Sequence, residues 1–455
     1  MTGVQTCALP ILTSGRSQRG ETGATTWRPP EGWGLALLCS ALIYGAHLDY
    51  AGLTYQSSLF LSLAACLVLL GVLALPARRA ELNSMRGLLW PGLCFLVVIA
   101  AALLSLTPYG PGGPAPVWSY IGVGPGSVSI NRTATIIEII KLIGLGAIFA
   151  LGSVMGANDA RARTVLNTFV LAGGLFGLWA IIAHASGGNG HSTNRLEANF
   201  LAPNTAGGFF GLLATVAVGA LVTTYRASSN DRLSRLAPFG ATLAVALIAL
   251  LMSGSRGGAI ATIVAFGAYL LFQIFAGKVK VGRALVLSGI GGAVALIVVL
   301  IGGEVMINRA LEGGATADSR AHMGELHFQA FQAAPLMGYG LGTFEAINRS
   351  IMDAQSFADL WNIRATHNVY IQWLEEAGLI GALPMFACIA LLLFTTYRRT
   401  LARSRMTSYL FALLAADALV LFHGISDFDL QTYSFALNWA FLIGLQYRLS
   451  QGSRG

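Results

Sequence analysis

Charge is what this sequence has least of. Only 11% of its 455 residues are Asp, Glu, Lys or Arg, against 55% hydrophobic residues. So little charge excludes a disordered polyelectrolyte and an ordinary water-soluble domain. Acids are scarcer than bases, 20 against 28, and the net charge is +8. The basic residues are dispersed over separate short connections with no accompanying motif, which argues against a nucleic-acid partner. Cysteine is sparse as well. Cys39, Cys66, Cys94 and Cys388 stand singly in apolar runs, and Cys7 lies in the opening segment, so the spacing of a metal site is missing. His184 and His191 have no second ligand four residues on, which excludes a helical zinc pair. No internal repeat of roughly 20–50 residues is visible.

What the sequence has in abundance is long apolar runs. They predict an all-α polytopic membrane protein with 12 transmembrane helices near 33–51, 56–75, 88–107, 132–155, 164–184, 205–225, 237–253, 257–276, 284–303, 368–396, 407–426 and 432–449. The first eleven residues, MTGVQTCALPI, resemble translated adapter sequence and are expected to be a scar; Leu12 to Glu31, rich in Gly, Thr, Ser and Arg, reads as a disordered tail. Residues 32–455 are expected to form a single membrane domain, interrupted by one large loop over 304–366.

The basic residues orient these spans. Twenty of the 28 fall on the side that holds both termini, together with only five of the 20 acids. Excess Lys and Arg mark the cytoplasmic face, so both ends are expected there and the large loop on the other face.

On that outer face, several residues carry chemistry. The segment Thr107–Asn131, dense in Gly and Pro, reads as an irregular cap. Glu138 and Lys141, three apart in the fourth span, are read first as a structural ion pair. Asn204, in the run FLAPN, is a candidate N-cap of the sixth span. Ser253-Gly254-Ser255-Arg256-Gly257-Gly258 opens the eighth span with free N–H groups and a permanent cation, the features of a phosphate contact. In the large loop, Met323, Leu326, Ala330, Phe331 and Ala334 predict a helix capped at Asp318 or Ser319 and stopped by Pro335, with Arg320 in its first turn. Gly338, Gly340 and Gly342 read as a turn, because no strand precedes them as a nucleotide loop requires. Thr343 is the expected cap of a second short helix. Arg364 and His367 then stand just before the tenth span, a cation beside a base whose reference pKa is near neutrality.

Arginines beside a histidine suit transfer from a lipid pyrophosphate. The leaving group is already good, so cations must hold its charge and a base must take the acceptor's proton. The elements FLAPN, SGSRGG, PLMGYGLGTF and THNVYIQWLEEAGLIG, in this order over residues 190–385, resemble the O-antigen ligase family, which includes O-antigen polymerases and protein O-oligosaccharyltransferases. The resemblance implies a GT-C-like, metal-independent, inverting membrane glycosyltransferase of the bacterial inner membrane with a periplasmic active site and no cofactor. Its donor would be a polyprenyl-pyrophosphate-linked glycan; the resemblance does not fix the acceptor, for which lipid A-core is the first reading beside the end of another repeat unit and a protein Ser or Thr. By the same resemblance Arg256, Arg320 and His367 are catalytic, and Arg364, Asn368, Asn204 and Ser255 are expected to bind substrate. One departure is that no Trp follows the loop Arg; Leu326 to Phe328 occupy that region.

Two other readings are compatible with these residues. A repeat-unit polymerase would share the site and differ in acceptor. A transporter would instead line a path with Glu138, Lys141 and Arg256, yet the paired broken helices of repeated halves are missing. A reporter fused after Ser350 is expected outside the cytoplasm and one fused after Arg403 inside it. Both reporters on one side would overturn the 12-span topology.

Overall fold

A computed structural model describes residues 32–122, 124–187, 195–227, 231–280 and 313–452. The scar and tail over 1–31, His191, and the expected span 284–303 lie outside the described residues. The described chain is helical throughout. It runs through α1 (Trp33–Leu48), α2 (Tyr55–Leu73), α3 (Pro76–Asn83), α4 (Leu89–Ser105), α5 (Val117–Ile121), α6 (Arg132–Met155), α7 (Asp159–Ala185), α8 (Pro203–Ala227), α9 (Arg232–Met252) and α10 (Arg256–Phe275). Then follow α11 (Gly313–Ala333), α12 (Phe344–Ile351), α13 (Phe357–Leu360), α14 (Val369–Leu401), α15 (Thr407–His423) and α16 (Tyr433–Leu449). Every expected span among the described residues falls on one of these helices. Seven of them are long and apolar enough to cross a bilayer, and α1, α4 and α15 are shorter apolar helices. The protein is a polytopic helical membrane protein.

Burial sorts the helices into a centre and a rim. α8 is the most enclosed of the seven, with 83% of its apolar window buried, and α15 and α16 are buried along nearly their whole length. On the rim, α2 exposes Phe60, Leu63, Leu67 and Leu70. Exposed Leu and Phe cost nothing in lipid, so the centre is free to hold polar residues, provided each finds a partner. Asp417 of α15 accepts hydrogen bonds from Trp439 Nε1 (2.9 Å) and Gln446 Nε2 (2.6 Å) of α16.

The loops collect at two ends of the bundle. At one end Arg161 pairs with Glu81 (2.8 Å) and Arg403 with Asp159 (2.6 Å). At the other end lie the starts of α8, α10 and α14 and the end of α15, with α11 to α13 laid against them. The segment 107–131 is also at this second end, where the Ile130 N–H donates to the Tyr339 carbonyl (3.0 Å).

The large loop departs from expectation in two details. α11 begins at Gly313, so Arg320 lies inside it rather than in its first turn, and Ser319 is no cap: its hydroxyl donates to Asp359 Oδ1 (2.6 Å). Thr343 does occupy the N-cap position of α12, but its hydroxyl is committed to the Gly340 carbonyl. The buried Glu376 carboxylate takes over the capping, accepting from the N–H groups of Gly342 (2.8 Å) and Phe344 (3.2 Å). A carboxylate meets a helix's unsatisfied N–H groups better than a hydroxyl does.

The expected glycine turn is present, and it is locked to a break in α14. Gly378 adopts φ 58°, which interrupts the helix. Helical pairing would have joined the carbonyls of Glu375 and Glu376 to the N–H groups of Leu379 and Ile380. These carbonyls instead accept from Tyr339 (3.1 Å) and Gly340 (2.8 Å), while those N–H groups donate to the carbonyls of Pro335 (2.8 Å) and Leu336 (3.0 Å). All four groups are satisfied, as membrane-depth backbone requires. A methyl group on Gly378 would collide with the Leu336 backbone. Gly378→Ala is therefore expected to cost the ~1–2 kcal/mol of a left-handed alanine plus the collision, lowering the melting temperature in detergent by several degrees. Gly267→Ala, which meets nothing within 4 Å, should leave it unchanged or slightly raised.

Candidate functional site

His367 sits at the entrance to α14. Asn368 caps this helix through its side-chain oxygen, accepting from the N–H groups of Tyr370 and Ile371 (both 3.0 Å). Capping therefore does not fall to His367, which holds φ 52°, a left-handed conformation rarely occupied by a residue with a side chain. Two bonds fix this entrance against the end of α15: the Val369 N–H donates to the Gly424 carbonyl (2.9 Å), and the Tyr370 hydroxyl donates to the Leu421 carbonyl (2.7 Å). The His367 ring lies edge-on to Phe428, centroids 4.8 Å apart, and its Nδ1 is 3.6 Å from Asp427 Oδ1. That is ion-pair range but too long for a hydrogen bond, and Nδ1 has no hydrogen-bonding partner.

The chain that supplies Asp427 supplies a second acid-imidazole contact. His423, the last residue of α15, lies 2.6 Å through Nδ1 from Asp429 Oδ2, and both side chains are 1% exposed. Burial alone pushes the Asp427 carboxyl upward. The His367 imidazole alongside, the charge of His423 and the Phe428 N–H (2.9 Å) outweigh it, and the carboxyl is held below the ordinary range. For Asp429 burial wins: its carboxyl is raised, although His423 opposes the rise, and the neighbouring Asp427 charge adds to it. Two carboxylates two residues apart thus differ in how readily they ionise.

Arg320 reaches this loop from the other side, donating from Nη1 to the Ser426 carbonyl (3.1 Å). Ser426 is the residue before Asp427, so α11 and the entrance to α14 meet at one turn. Arg256 begins α10, whose N-cap Ser255 accepts from the Gly258 N–H (3.1 Å). The next residue, Gly257, packs on His423: a methyl group there would stand 2.9 Å from Nε2 and 3.4 Å from Ser426 Oγ. The sequence-predicted Arg256, Arg320 and His367 are therefore brought to one end of the bundle around residues 423–429.

The expected substrate-binding residues divide. Arg364 is exposed three residues before His367. Ser255 and Asn368 spend their side-chain oxygens on caps. Asn204 is the second residue of α8, because Pro203 takes the first helical position, and its Oδ1 accepts from Arg195 Nη2 (2.8 Å); the N-cap expectation for it is corrected. Glu138 and Lys141 pair with each other at 2.5 Å, as their spacing predicts. Where the loop helix lacks its Trp, His327 is fully buried and bonds Glu375 through Nδ1 (2.8 Å). Among the described residues no group of three His, Cys, Asp or Glu side chains is arranged to hold a metal ion.

The sequence reading passed over His423, Asp427 and Asp429. Their signal was present: a His ending an apolar run, followed by two acids, is costly at a membrane boundary unless the groups are paired.

No curated protein matches the chain. The model of the family described as O-Antigen ligase matches residues 241–386, which run from within α9 to within α14 and contain Ser255, Arg256, Arg320, Arg364, His367 and Asn368. Residues 241–386 are thus similar to the O-antigen ligase family, and the likeness covers the segment that carries Arg256, Arg320 and His367.

Proposed function

We propose that the protein is an O-antigen ligase: a membrane glycosyltransferase that moves a glycan from a polyprenyl-pyrophosphate donor, of the undecaprenyl pyrophosphate type, to a hydroxyl of lipid A-core. The reaction takes place on the periplasmic face of the bacterial inner membrane, with both termini in the cytoplasm. The observation that carries this reading is the meeting of His367, Asp427 and Arg320 at one turn, beside the helix that Arg256 opens.

The chemistry follows from the roles these side chains can take. The acceptor oxygen attacks the anomeric carbon as its proton passes to His367. The bond between that carbon and the pyrophosphate oxygen breaks, its electron pair leaves with the lipid pyrophosphate, and the anomeric configuration inverts. Arg256 and Arg320 hold the charge that develops on the leaving group, with charge-assisted bonds worth roughly 1.5–3 kcal/mol each. Asp427 sits against the His367 ring and stabilises the imidazolium as it forms, the role a buried acid plays beside a catalytic histidine. Arg364, exposed above the entrance, meets the substrate from the loop side. Asn368, Ser255 and Asn204 act by fixing the backbone and its neighbours.

Purified protein given a lipid-linked glycan and lipid A-core should transfer in the presence of a chelator, because two arginines do the work of a metal. Complete loss of transfer in chelator, restored by magnesium or manganese, would remove that part of the mechanism. Transfer onto a second lipid-linked glycan, with none onto lipid A-core, would replace the ligase reading with that of a polymerase.

In the same assay His367→Gln should lower turnover by roughly 10²–10⁴-fold with the donor still bound, since it keeps hydrogen bonding but has no suitable proton acceptor. Arg320→Lys should weaken donor engagement together with rate, because an ammonium loses the planar fork that holds phosphate. A folded His367→Gln protein that works near the wild-type rate overturns the general-base role.

A further inference from the structure

His423 has a nitrogen with nothing to bond. Its ring is 1% exposed, Nδ1 is engaged by Asp429, and Nε2 has no hydrogen-bonding partner. A buried polar atom left in this state costs free energy, so its retention calls for a ligand or a purpose. Nε2 points at the first turn of α10. A methyl group on Gly257 would lie 2.9 Å from it, so the imidazole nearly touches the backbone there.

That first turn has donors to spare. The Gly258 N–H is taken by Ser255 Oγ and the Ala259 N–H by the Ser255 carbonyl. The N–H groups of Arg256 and Gly257, the first two of the helix, have no intrahelical acceptor, and they lie at the positive end of the helix dipole. The Arg256 guanidinium starts from the same turn. Because Gly257 has no side chain, nothing separates its backbone from His423 Nε2. Asp429 lies on the opposite edge of the ring, where it favours the imidazolium and so a proton on Nε2, which then donates.

We propose that His423 Nε2, the free N–H groups of Arg256 and Gly257 and the Arg256 guanidinium form one anion subsite, which takes a phosphate group of the lipid-pyrophosphate donor. This deepens the reading of the protein as a glycosyltransferase acting on such a donor and rests on it for the ligand, but its geometry is independent of the acceptor and of His367. Asp429 is then a positioning residue: it touches no substrate and acts by holding the His423 tautomer and charge. The Arg320 bond to the Ser426 carbonyl brings a further cation to the edge of the same turn.

The probe is inorganic pyrophosphate, titrated calorimetrically into the full chain in detergent. Binding should weaken about tenfold or more in His423→Gln, which loses the charge, and in Gly257→Ala, whose methyl group intrudes between Nε2 and the backbone. The transfer assay should show the loss mainly in KM for the donor. Pyrophosphate should also slow amide exchange at residues 256–258 of the unmodified protein, a measurement that needs no variant to fold. Unchanged pyrophosphate affinity in a folded His423→Gln or Gly257→Ala protein, or unslowed exchange at 256–258 under saturating pyrophosphate, overturns the subsite. If wild-type protein transfers glycan while those results hold, the subsite fails and the glycosyltransferase reading stands. If pyrophosphate binds through His423 but no lipid-linked glycan is transferred, the subsite stands and that reading fails.

Discussion

The break in α14 at Gly378 is the constraint on which the loop-bearing end of this protein depends. A helix interrupted at membrane depth leaves carbonyl and N–H groups that lipid cannot satisfy, each at a cost of several kcal/mol. Here the turn Pro335–Gly340 supplies the missing partners, group for group, and the Glu376 carboxylate caps α12 immediately after it. The loop is thus bonded to a membrane helix through backbone groups that have no cheaper partner. α11 ends at that turn and carries Arg320, while His367 and the N-cap Asn368 lead into α14. Fixing the turn against the break fixes the angle between the helix that carries Arg320 and the helix that His367 precedes.

A second junction completes the site. Residues 424–429 receive the Val369 N–H, the Arg320 guanidinium and the His367 ring, and they pair with His423 through Asp429. Such a short connection between two buried helices has little freedom of its own. Its position is set by α15 and α16, which are held together in the centre by the bonds of Asp417 to Trp439 and Gln446. The polar core therefore does more than satisfy its own atoms: it holds the turn against which the loop helices register. Preorganised charges of this kind favour a transition state because they need not reorganise as the reaction proceeds.

What the sequence disclosed and what it withheld have the same physical origin. Spans were legible because hydrophobic length is a local property, and the helix at 132–155 came out as expected. The pairing of Glu138 with Lys141 was legible for the same reason, since three residues on a helix is a fixed distance. Glycines at 338, 340 and 342 were read as a turn, but the partner of that turn was not visible, because Gly378 looks like any glycine in an apolar helix until its φ is known. The hydroxyl cap expected of Thr343, which does hold the N-cap position, and the cap expected of Asn204 failed through the same blindness. A carboxylate distant in sequence can displace a local hydroxyl at a helix start, and Pro203 had already claimed the first helical position. Arg256, Arg320 and His367 were singled out through motifs. Asp427, which lies against His367, and His423 were missed, because a pairing between the start of one helix and the end of another leaves no periodic trace.

The extent of the family match sharpens this point. The matched segment stops at residue 386, yet the acid beside His367 is Asp427 and the imidazole beside Gly257 is His423. The matched domain thus carries the arginines and the histidine, whereas α15, α16 and the turn between them supply the carboxylates. α8 lies just outside the other boundary, and it packs beneath both: a methyl group on Gly208 would stand 3.0 Å from His423 Nδ1, and one on Gly207 2.9 Å from Ser253 Oγ, so the starts of α8 and α10 close on the same imidazole. The electrostatics of the site are consequently a property of the whole bundle. The segment that carries the arginines thus meets two buried carboxylates with opposite tendencies to ionise, Asp427 beside His367 and Asp429 beside His423.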